Sequence, residues 1–120
     1  MINLLVPLLM LSINLDTYKV KTLENVSIGG VRIHTFRGNV ASERAFFTYE
    51  RLAVALFPDM VADDVYLKKI GNDYCVMVKD VTLITLSKED AMFNKTDLHT
   101  YASNTLNYLK KVLPNVAPLR

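Results

Sequence analysis

Two short β-rich runs flank a glycine pair in the first third of the chain. The runs are Val26 to Ile28 and Val31 to Phe36, and Gly29-Gly30 lies between them. Glycine adopts positive φ without steric cost, as a tight hairpin turn requires. The pattern therefore predicts a β-hairpin. Weak alternation of apolar residues over 14–21 indicates a further strand before it.

The next segment, Ser42 to Phe57, has the spacing of an amphipathic helix. Apolar residues recur three and four positions apart, which places them on one helix face. That predicted buried face consists of Ala45, Phe46, Tyr49, Leu52, Ala53 and Leu56. We expect Asn39 or Ser42 to cap the first turn and Pro58 to stop the helix.

Three further β-rich runs follow, Val65 to Ile70, Tyr74 to Val78 and Val81 to Leu86. The links between them are too short for a crossover, so the runs are predicted to form an antiparallel meander. Both faces of the middle run are apolar, which is typical of a central strand covered on both sides. Cys75 lies in this run, and we expect it to be a buried and unreactive thiol.

Helix signals return at Ser87, where Asp90 completes a capping-box spacing for a short helical turn. Asn94 is expected to end that turn in the left-handed conformation. Thr96 or Asp97 is then expected to cap a final helix, which Pro114 should end. Its predicted apolar face consists of Leu98, Tyr101, Ala102, Thr105, Leu109, Val112 and Leu113. We expect one shared core at Leu83, Leu86, Ala91, Leu98, Ala102 and Leu109.

The order ββ-α-βββ-α predicts an α+β fold, in which two amphipathic helices pack on a mostly antiparallel sheet. A chain of 120 residues fits one domain. We divide it into an apolar segment and lead-in at 1–25, the α+β domain at 26–114 and a tail at 115–120. Residues 1–13 are nearly all apolar but too few to span a bilayer. They fit either a leader remnant or a first buried strand, and the sequence leaves both open.

Charge argues against a nucleic-acid partner. The net charge is +2, from 14 basic and 12 acidic residues, and the signs are interspersed. Only Lys68-Lys69 and Lys110-Lys111 form basic pairs, which make no continuous phosphate-binding stripe. We expect no transmembrane span, while a protein partner or self-association stays open.

Candidate catalytic groups are sparse. His34 and His99 have no Cys, Asp or Glu at metal-ligand spacing on the same face, so no metal site is predicted. Glycine-rich phosphate loops and nucleophile motifs are absent from the sequence, so no cofactor and no catalytic residue is assigned. The repeated acidic and basic residues of the first helix are interpreted as a solvated face with local pairs.

Three functions from different classes fit this pattern. The favoured one is a non-enzymatic binding or sensory module, since no polar residues converge. The second is a small enzyme with a dispersed polar site, and the third is a structural or oligomerisation domain. The candidate ligand or interaction surface consists of Arg32, Arg37, Glu50 and Asp80.

A family resemblance rests on ordered motifs between Val31 and Pro114. An alternating strand at Val31 to Phe36 precedes Ala41-Ser42-Glu43-Arg44-Ala45, with Arg51-Leu52 in the middle of the helix. Its most specific stretch runs from Leu83 to Ala91, and Tyr101-Ala102, Leu109 and Val112-Leu113 follow. This segment resembles a small extracytoplasmic bacterial domain. That domain stands ahead of the membrane spans in some small-conductance mechanosensitive channels and also occurs in short exported proteins of unknown function.

The resemblance implies a periplasmic or secreted location, and composition alone is also compatible with the cytoplasm. The chain is expected to resemble the stand-alone form of the domain, because no membrane span is predicted after it. The motifs are packing and capping signals. They therefore imply a fold and no catalytic residue.

Overall fold

The computed structural model describes residues 22–119. The apolar segment 1–13 and the strand predicted within residues 14–21 lie outside the described residues. The described chain is α+β and follows the predicted order ββ-α-βββ-α. A short helix stands where we expected a single helical turn, and short 3-10 turns lie at Ala62–Asp64 and Ala117–Leu119.

The first two strands form the predicted hairpin. Strand β1 covers Leu23–Ile28, strand β2 covers Val31–Arg37, and the two pair antiparallel. Gly29 and Gly30 have φ of 57° and 80°. Two consecutive positive φ values are what a tight two-residue hairpin turn requires, which explains the glycine pair.

A β-bulge interrupts the hairpin. Val26 pairs with His34, but Ser27 pairs with Arg32, so Ile33 is an extra residue on β2. The strand before the turn also begins earlier than expected, within the segment 1–25 that we treated as a lead-in.

Helix α1 covers Ala41–Ala55 and ends before Pro58, as predicted. The expected caps, Asn39 and Ser42, are wrong. Val40 occupies the N-cap position and supplies no side-chain cap. Ser42 cannot serve, because it already lies inside the first turn.

The buried face of α1 also differs from the prediction. Phe46 and Tyr49 are 60% and 43% exposed. The buried positions are instead Ala41, Ala45, Thr48, Leu52 and Ala55. Small side chains let a helix lie close to the strands beneath it, so α1 packs against β1 and β2 through its alanines and turns its aromatic residues outward.

Strands β3 (Val65–Ile70), β4 (Asp73–Val78) and β5 (Val81–Leu86) form the predicted meander. Strand β4 is central and buried on both faces, as its apolar pattern indicated. Cys75 is buried there as a free thiol, with its Sγ 3.6 Å from Thr85 Oγ1.

The five described strands form two sheets and not the one sheet we expected. β1 and β2 make a two-stranded sheet, and β3, β4 and β5 make a three-stranded one. Helix α1 contacts β1, β2 and β5. Side-chain packing on α1, and not backbone hydrogen bonding, therefore joins the two sheets.

Helix α2 covers Lys88–Phe93, and its predicted capping box is confirmed. The Asp90 N–H donates to Ser87 Oγ at 3.2 Å, and the Ser87 N–H donates to Asp90 Oδ2 at 2.9 Å. The left-handed residue after the helix is Lys95, with φ of 56°, and not Asn94. Asn94 satisfies the helix end differently, since its side-chain amide donates to the Asp90 carbonyl at 2.9 Å.

Helix α3 covers Leu98–Val116, with Asp97 as its N-cap. The Thr100 N–H donates to Asp97 Oδ1 at 2.8 Å. Pro114 does not end this helix but lies inside it. Val116 and Ala117 are buried, so packing stabilises a last turn that the proline signal and our tail at 115–120 had excluded.

A single cluster of buried side chains joins the two sheets and the two longer helices. Leu83, Leu86, Ala102 and Leu109 belong to it, as predicted, and Leu98 packs against it half-buried. Ala91 is buried as well but lies outside this cluster.

Candidate functional site

An open cleft of about 400 Å³ lies between strand β2 and helix α3 of the described structure. This volume lies within the range of small-molecule sites. The loop between α2 and α3 closes one end. The β2–α3 cleft is lined by Arg32, Ile33, His34, Thr35, Asn94, Thr96, Tyr101, Asn104, Thr105 and Tyr108.

Helix α3 contributes one polar stripe to this cleft. Tyr101, Asn104, Thr105 and Tyr108 are three and four residues apart, so they share one helix face. The core stripe lies beside it, because Ala102 and Leu109 are fully buried. The same helix therefore anchors the fold and presents hydroxyl and amide groups to the cleft.

Strand β2 contributes the single cationic group of the cleft lining. The Arg32 guanidinium lies 5.2 Å from the ring centre of Tyr108 and donates to Thr35 Oγ1 at 3.3 Å. The Tyr108 hydroxyl donates to the backbone carbonyl of Arg32. These contacts hold the guanidinium at one end of the cleft, where it stays largely exposed.

His34 and Tyr101 form a buried polar pair at the cleft floor. The Tyr101 hydroxyl lies 3.3 Å from His34 Nε2. Burial lowers the pKa of His34 to about 4, opposed by Asp90 and reinforced by Arg44 and Arg32. Burial likewise raises the pKa of Tyr101 to about 12. Both side chains are therefore uncharged at neutral pH.

The chemistry of the cleft lining follows from this inventory. Its neutral groups are hydroxyls, amides and an uncharged imidazole, and its one ionised group is Arg32. No carboxylate and no thiol is among the lining residues. Such a lining donates hydrogen bonds and favours an anionic group beside the guanidinium.

A second polar cluster lies close enough to His34 to influence its charge, and its members hydrogen-bond to one another. We call Arg44, Thr85, Ser87 and Asp90 the Asp90 junction. Arg44 donates to Asp90 Oδ1 and Oδ2 at 2.6 and 2.9 Å and to the Thr85 carbonyl at 2.8 Å. The Ser87 hydroxyl also donates to Asp90 Oδ2, at 3.0 Å. Arg44 is thus a long-range partner of α2 and not part of a solvated helix face.

The electrostatics of Asp90 reflect this network. Burial alone would raise the pKa of Asp90, but hydrogen bonds from Arg44 and Ser87 outweigh it and lower the pKa. The carboxylate therefore stays ionised and paired at neutral pH.

A smaller cavity of about 200 Å³ lies over α1 and β5. It is lined by Phe36, Arg44, Phe47, Thr48, Arg51, Ile84 and Thr85. The Arg44 guanidinium stacks 4.5 Å above the ring of Phe36, and its charge is paired with Asp90. This cavity therefore adjoins the Asp90 junction, and we do not treat it as a separate site.

The residues predicted from sequence as an interaction surface do not meet in one place. Arg32 lines the β2–α3 cleft. Arg37 ends β2, Glu50 lies on the outer face of α1, and Asp80 lies in the turn between β4 and β5. These three are exposed, and they line neither of the two cavities.

Sequence reasoning missed most of the cleft. His34 is considered from the sequence only as a metal ligand and is given no role there, and Tyr101 and Thr105 are placed on an apolar helix face. Asn104 and Tyr108 were not singled out. The available signal was the polar spacing 101, 104, 105 and 108, which runs alongside the apolar stripe of the same helix.

Across residues 22–119, no cluster of three or more His, Cys, Asp or Glu side chains could hold a metal ion. No helix in the same range is long and apolar enough to cross a membrane. No protein-family model, curated protein or solved structure matches the chain. The resemblance of residues 31–114 to the extracytoplasmic domain therefore rests on its motif residues.

Proposed function

We propose that this protein is a non-enzymatic binding module whose ligand occupies the β2–α3 cleft and carries an anionic group. The observation that supports this most is the lining itself, in which neutral hydrogen-bonding groups surround one guanidinium. Arg32 is not neutralised by a carboxylate of the cleft, and the one side-chain hydrogen bond that it makes within residues 22–119, to Thr35 at 3.3 Å, is long. An anion there would gain charge-assisted hydrogen bonds at little cost.

The non-enzymatic part of the proposal is supported by the state of the imidazole. A general base needs a pKa near the working pH and a reacting group within reach. His34 is 7% exposed, bonded to Tyr101, and has its pKa lowered to about 4. Cys75, the one cysteine, is buried in β4 and does not line the cleft.

An extracytoplasmic location belongs to the same proposal. It is supported by the motif resemblance of residues 31–114 to the bacterial domain found before some channel membrane spans. A module of that kind would sense or bind a solute outside the cytoplasm. The cleft offers a site for such a solute.

The binding proposal is tested by titrating the ¹⁵N-labelled protein with succinate and with inorganic phosphate. We expect amide signals of Arg32, Thr35, Asn104 and Tyr108 to shift together, with affinity in the millimolar range or tighter. Arg32→Gln should weaken binding about tenfold or more, because one charge-assisted contact is lost.

The matched control is Arg37→Gln, which removes an exposed arginine of the same strand that lines neither cavity. It should bind like the wild type. Shifts confined to surfaces outside the cleft, or an Arg32→Gln variant that binds normally, would contradict the proposal. Chemical conversion of either solute, seen as new proton signals, would contradict its non-enzymatic part.

Self-association is a second candidate function, and the outer face of α1 favours it. Phe46, Phe47 and Val54 are 60%, 51% and 74% exposed, and the two phenylalanine rings contact each other at 5.7 Å. Exposed apolar patches often mark protein interfaces. Sedimentation of the wild type and of Phe46→Ser tests this candidate, which predicts a dimer that the variant weakens. A wild type that stays monomeric at high concentration would exclude it.

A further inference from the structure

Two tyrosine bridges bound a short compartment of the β2–α3 cleft. The Tyr108 hydroxyl donates to the Arg32 carbonyl, and the Tyr101 hydroxyl lies 3.3 Å from His34 Nε2. The two tyrosines are seven positions apart in α3, which is roughly 10 Å at about 1.5 Å per residue. Because both bridges cross from α3 to β2, an extended chain has no room beside the strand. The compartment between the bridges suits a compact ligand about the size of one ring.

Thr105 presents a hydroxyl without a partner to this compartment. The residue is 8% exposed and lies between the two tyrosines on α3. Within residues 22–119 its side chain makes no hydrogen bond, and no fully buried side-chain oxygen or nitrogen in that range lacks a partner. The Thr105 hydroxyl must therefore reach the open cleft. A hydroxyl in so buried a place needs a hydrogen-bond partner, and one from outside the chain can meet it only from the cleft.

Asn104 adds a free amide beside that hydroxyl. It is exposed, lines the cleft and makes no side-chain hydrogen bond within residues 22–119. A side-chain amide both donates and accepts hydrogen bonds, as does a hydroxyl. Residues 104 and 105 therefore offer donors and acceptors side by side, which matches a ligand whose own groups do both. Asn94 and Thr96 of the loop before α3 extend this neutral polar lining.

The charge of the lining argues against several classes of small ligand. Arg32 is its one ionised group, since His34 and Tyr101 are uncharged at neutral pH and no carboxylate lines the cleft. An amino acid or a polyamine would bring an ammonium group that finds no anion there. A fatty acid would satisfy Arg32 but would displace water from Asn104 and Thr105 without replacing its hydrogen bonds. A ligand with one anionic group and several hydroxyls satisfies all of these groups.

We propose that the ligand of this cleft is an acidic monosaccharide, which places its carboxylate or phosphate at Arg32 and its ring hydroxyls against Asn104 and Thr105. This inference rests on the proposed function and specifies its ligand. The guanidinium donates charge-assisted hydrogen bonds to either anionic group. Adjacent hydroxyls of the ring donate to and accept from the amide and the threonine hydroxyl together. One sugar ring also suits the length between the tyrosine bridges.

The test compares acidic sugars with matched neutral sugars. Glucuronate, galacturonate and mannuronate, and the 6-phosphates of glucose, galactose and mannose, are set against the three unmodified hexoses. Succinate and inorganic phosphate serve as anions without sugar hydroxyls. Each is titrated into the ¹⁵N-labelled wild type, and its dissociation constant is taken from the amide shifts of the cleft residues.

We expect at least one acidic sugar to bind tenfold or more tightly than its neutral counterpart and than succinate or phosphate, because it gains both sets of hydrogen bonds. The group that binds more tightly, uronates or sugar phosphates, identifies the anion that Arg32 accepts.

Two variants remove the partners of the sugar hydroxyls, and a third is their control. Thr105→Val replaces the hydroxyl by a methyl group of similar shape, and Asn104→Ala removes the amide. Each should weaken binding of the acidic sugar about tenfold and leave succinate binding unchanged, because succinate has no hydroxyls. Asn107→Ala changes an exposed asparagine of α3 that lines neither cavity, and it should bind like the wild type. Arg32→Gln should remove the preference for the acidic over the neutral sugar. Matching thermal melts would show that all four variants are folded.

The outcomes separate this inference from the function on which it rests. If succinate or phosphate shifts the cleft and no acidic sugar binds more tightly, the ligand class is wrong and the proposed function stands. A neutral sugar that binds as tightly as its acidic counterpart overturns the placement of the anionic group at Arg32. Normal binding by Thr105→Val and Asn104→Ala overturns the placement of the hydroxyls. If acidic sugars, succinate and phosphate alike fail to reach the cleft, the proposed function itself is wrong.

Discussion

The Asp90 junction and the β2–α3 cleft both lie near the same buried histidine, but they differ in how completely their polar groups are paired. In the junction, Asp90 accepts hydrogen bonds from Arg44 and from Ser87. In the cleft, Arg32 has one long side-chain bond, and the Asn104 side chain has none within residues 22–119.

This difference separates two uses of polar chemistry. A network whose members satisfy each other stabilises one fold and leaves nothing for a ligand. A half-satisfied network that stays open to solvent costs little, because water replaces the missing partners, and it retains groups that a ligand can engage. The junction therefore supports the fold, and the cleft offers groups for recognition. Mutations in the junction should lower stability, whereas mutations in the cleft should lower ligand affinity.

The largest expected effect is in the junction. Asp90→Ala should lower the free energy of unfolding by about 2–4 kcal/mol, because it leaves the Arg44 guanidinium unpaired and removes the capping partner of Ser87. Urea denaturation measures this. Glu50→Ala is the control, since Glu50 is exposed and should change stability by less than about 0.5 kcal/mol. Equal losses in the two variants would remove the distinction between junction and surface.

Acid should weaken the cleft floor before the junction. The pKa of His34 is about 4 in the folded protein against 6.5 ordinarily. Between these values the unfolded chain binds the proton and the folded chain does not, so stability is full above about pH 6.5 and falls as the pH drops to 4. The whole loss should be about 3 kcal/mol, at 1.36 kcal/mol per pKa unit. Asp90 has a lowered pKa, so the stability it contributes is lost only below about pH 4.

Urea melts between pH 7.5 and pH 4 test whether stability falls as the pH drops, with His34→Phe as the comparison variant. The variant should keep a nearly constant stability over that interval, because the group that titrates has been removed. A variant that loses stability in parallel with the wild type would assign the acid sensitivity to other groups.

Mutations of Ser87 test the same comparison between junction and cleft, with a smaller expected loss of stability. Ser87→Ala should destabilise the protein by about 0.5–2 kcal/mol, and Ser87→Gly by less, because the N-cap bond to the Asp90 N–H is lost. Loss of binding to the cleft is not expected, since Ser87 does not line it. Wild type and Ser87→Ala with the same urea midpoint would mean that the capping box contributes nothing to stability.

The smallest expected effect on stability is at Arg32. Arg32→Gln should change the free energy of unfolding by less than about 0.5 kcal/mol, since the guanidinium is largely exposed and weakly bonded. The same variant should lose ligand affinity, which is the reverse of the Asp90→Ala profile. A strongly destabilised Arg32→Gln would place Arg32 among the groups that hold the fold together.

Local signals in the sequence predicted the secondary structure well where the cause is itself local. The glycine pair specifies the hairpin turn, Ser87 and Asp90 specify a capping box, and Asp97 caps α3. The apolar pattern of β4 correctly indicated a central strand. Each of these depends on residues only a few positions apart.

The errors occur where packing competes with local preference. Periodicity alone placed Phe46 inside, but α1 approaches the strands through alanines and turns the ring outward. Pro114 normally stops a helix, yet burial of Val116 and Ala117 carries α3 past it. The solvated charge pattern of α1 concealed Arg44, whose partner Asp90 lies 46 residues away.

By itself, then, the sequence determined the order of the elements, the first hairpin turn and the N-caps of α2 and α3, because glycine φ angles, capping bonds and apolar periodicity act between near neighbours. Only the tertiary structure decided that the strands divide into two sheets, that Arg44 pairs with Asp90, and that Arg32, His34, Asn104 and Tyr108 line one cleft. Those relations join residues far apart in the chain. Their physical cause is the packing of α1 and α3 against the strands, which no local pattern contains.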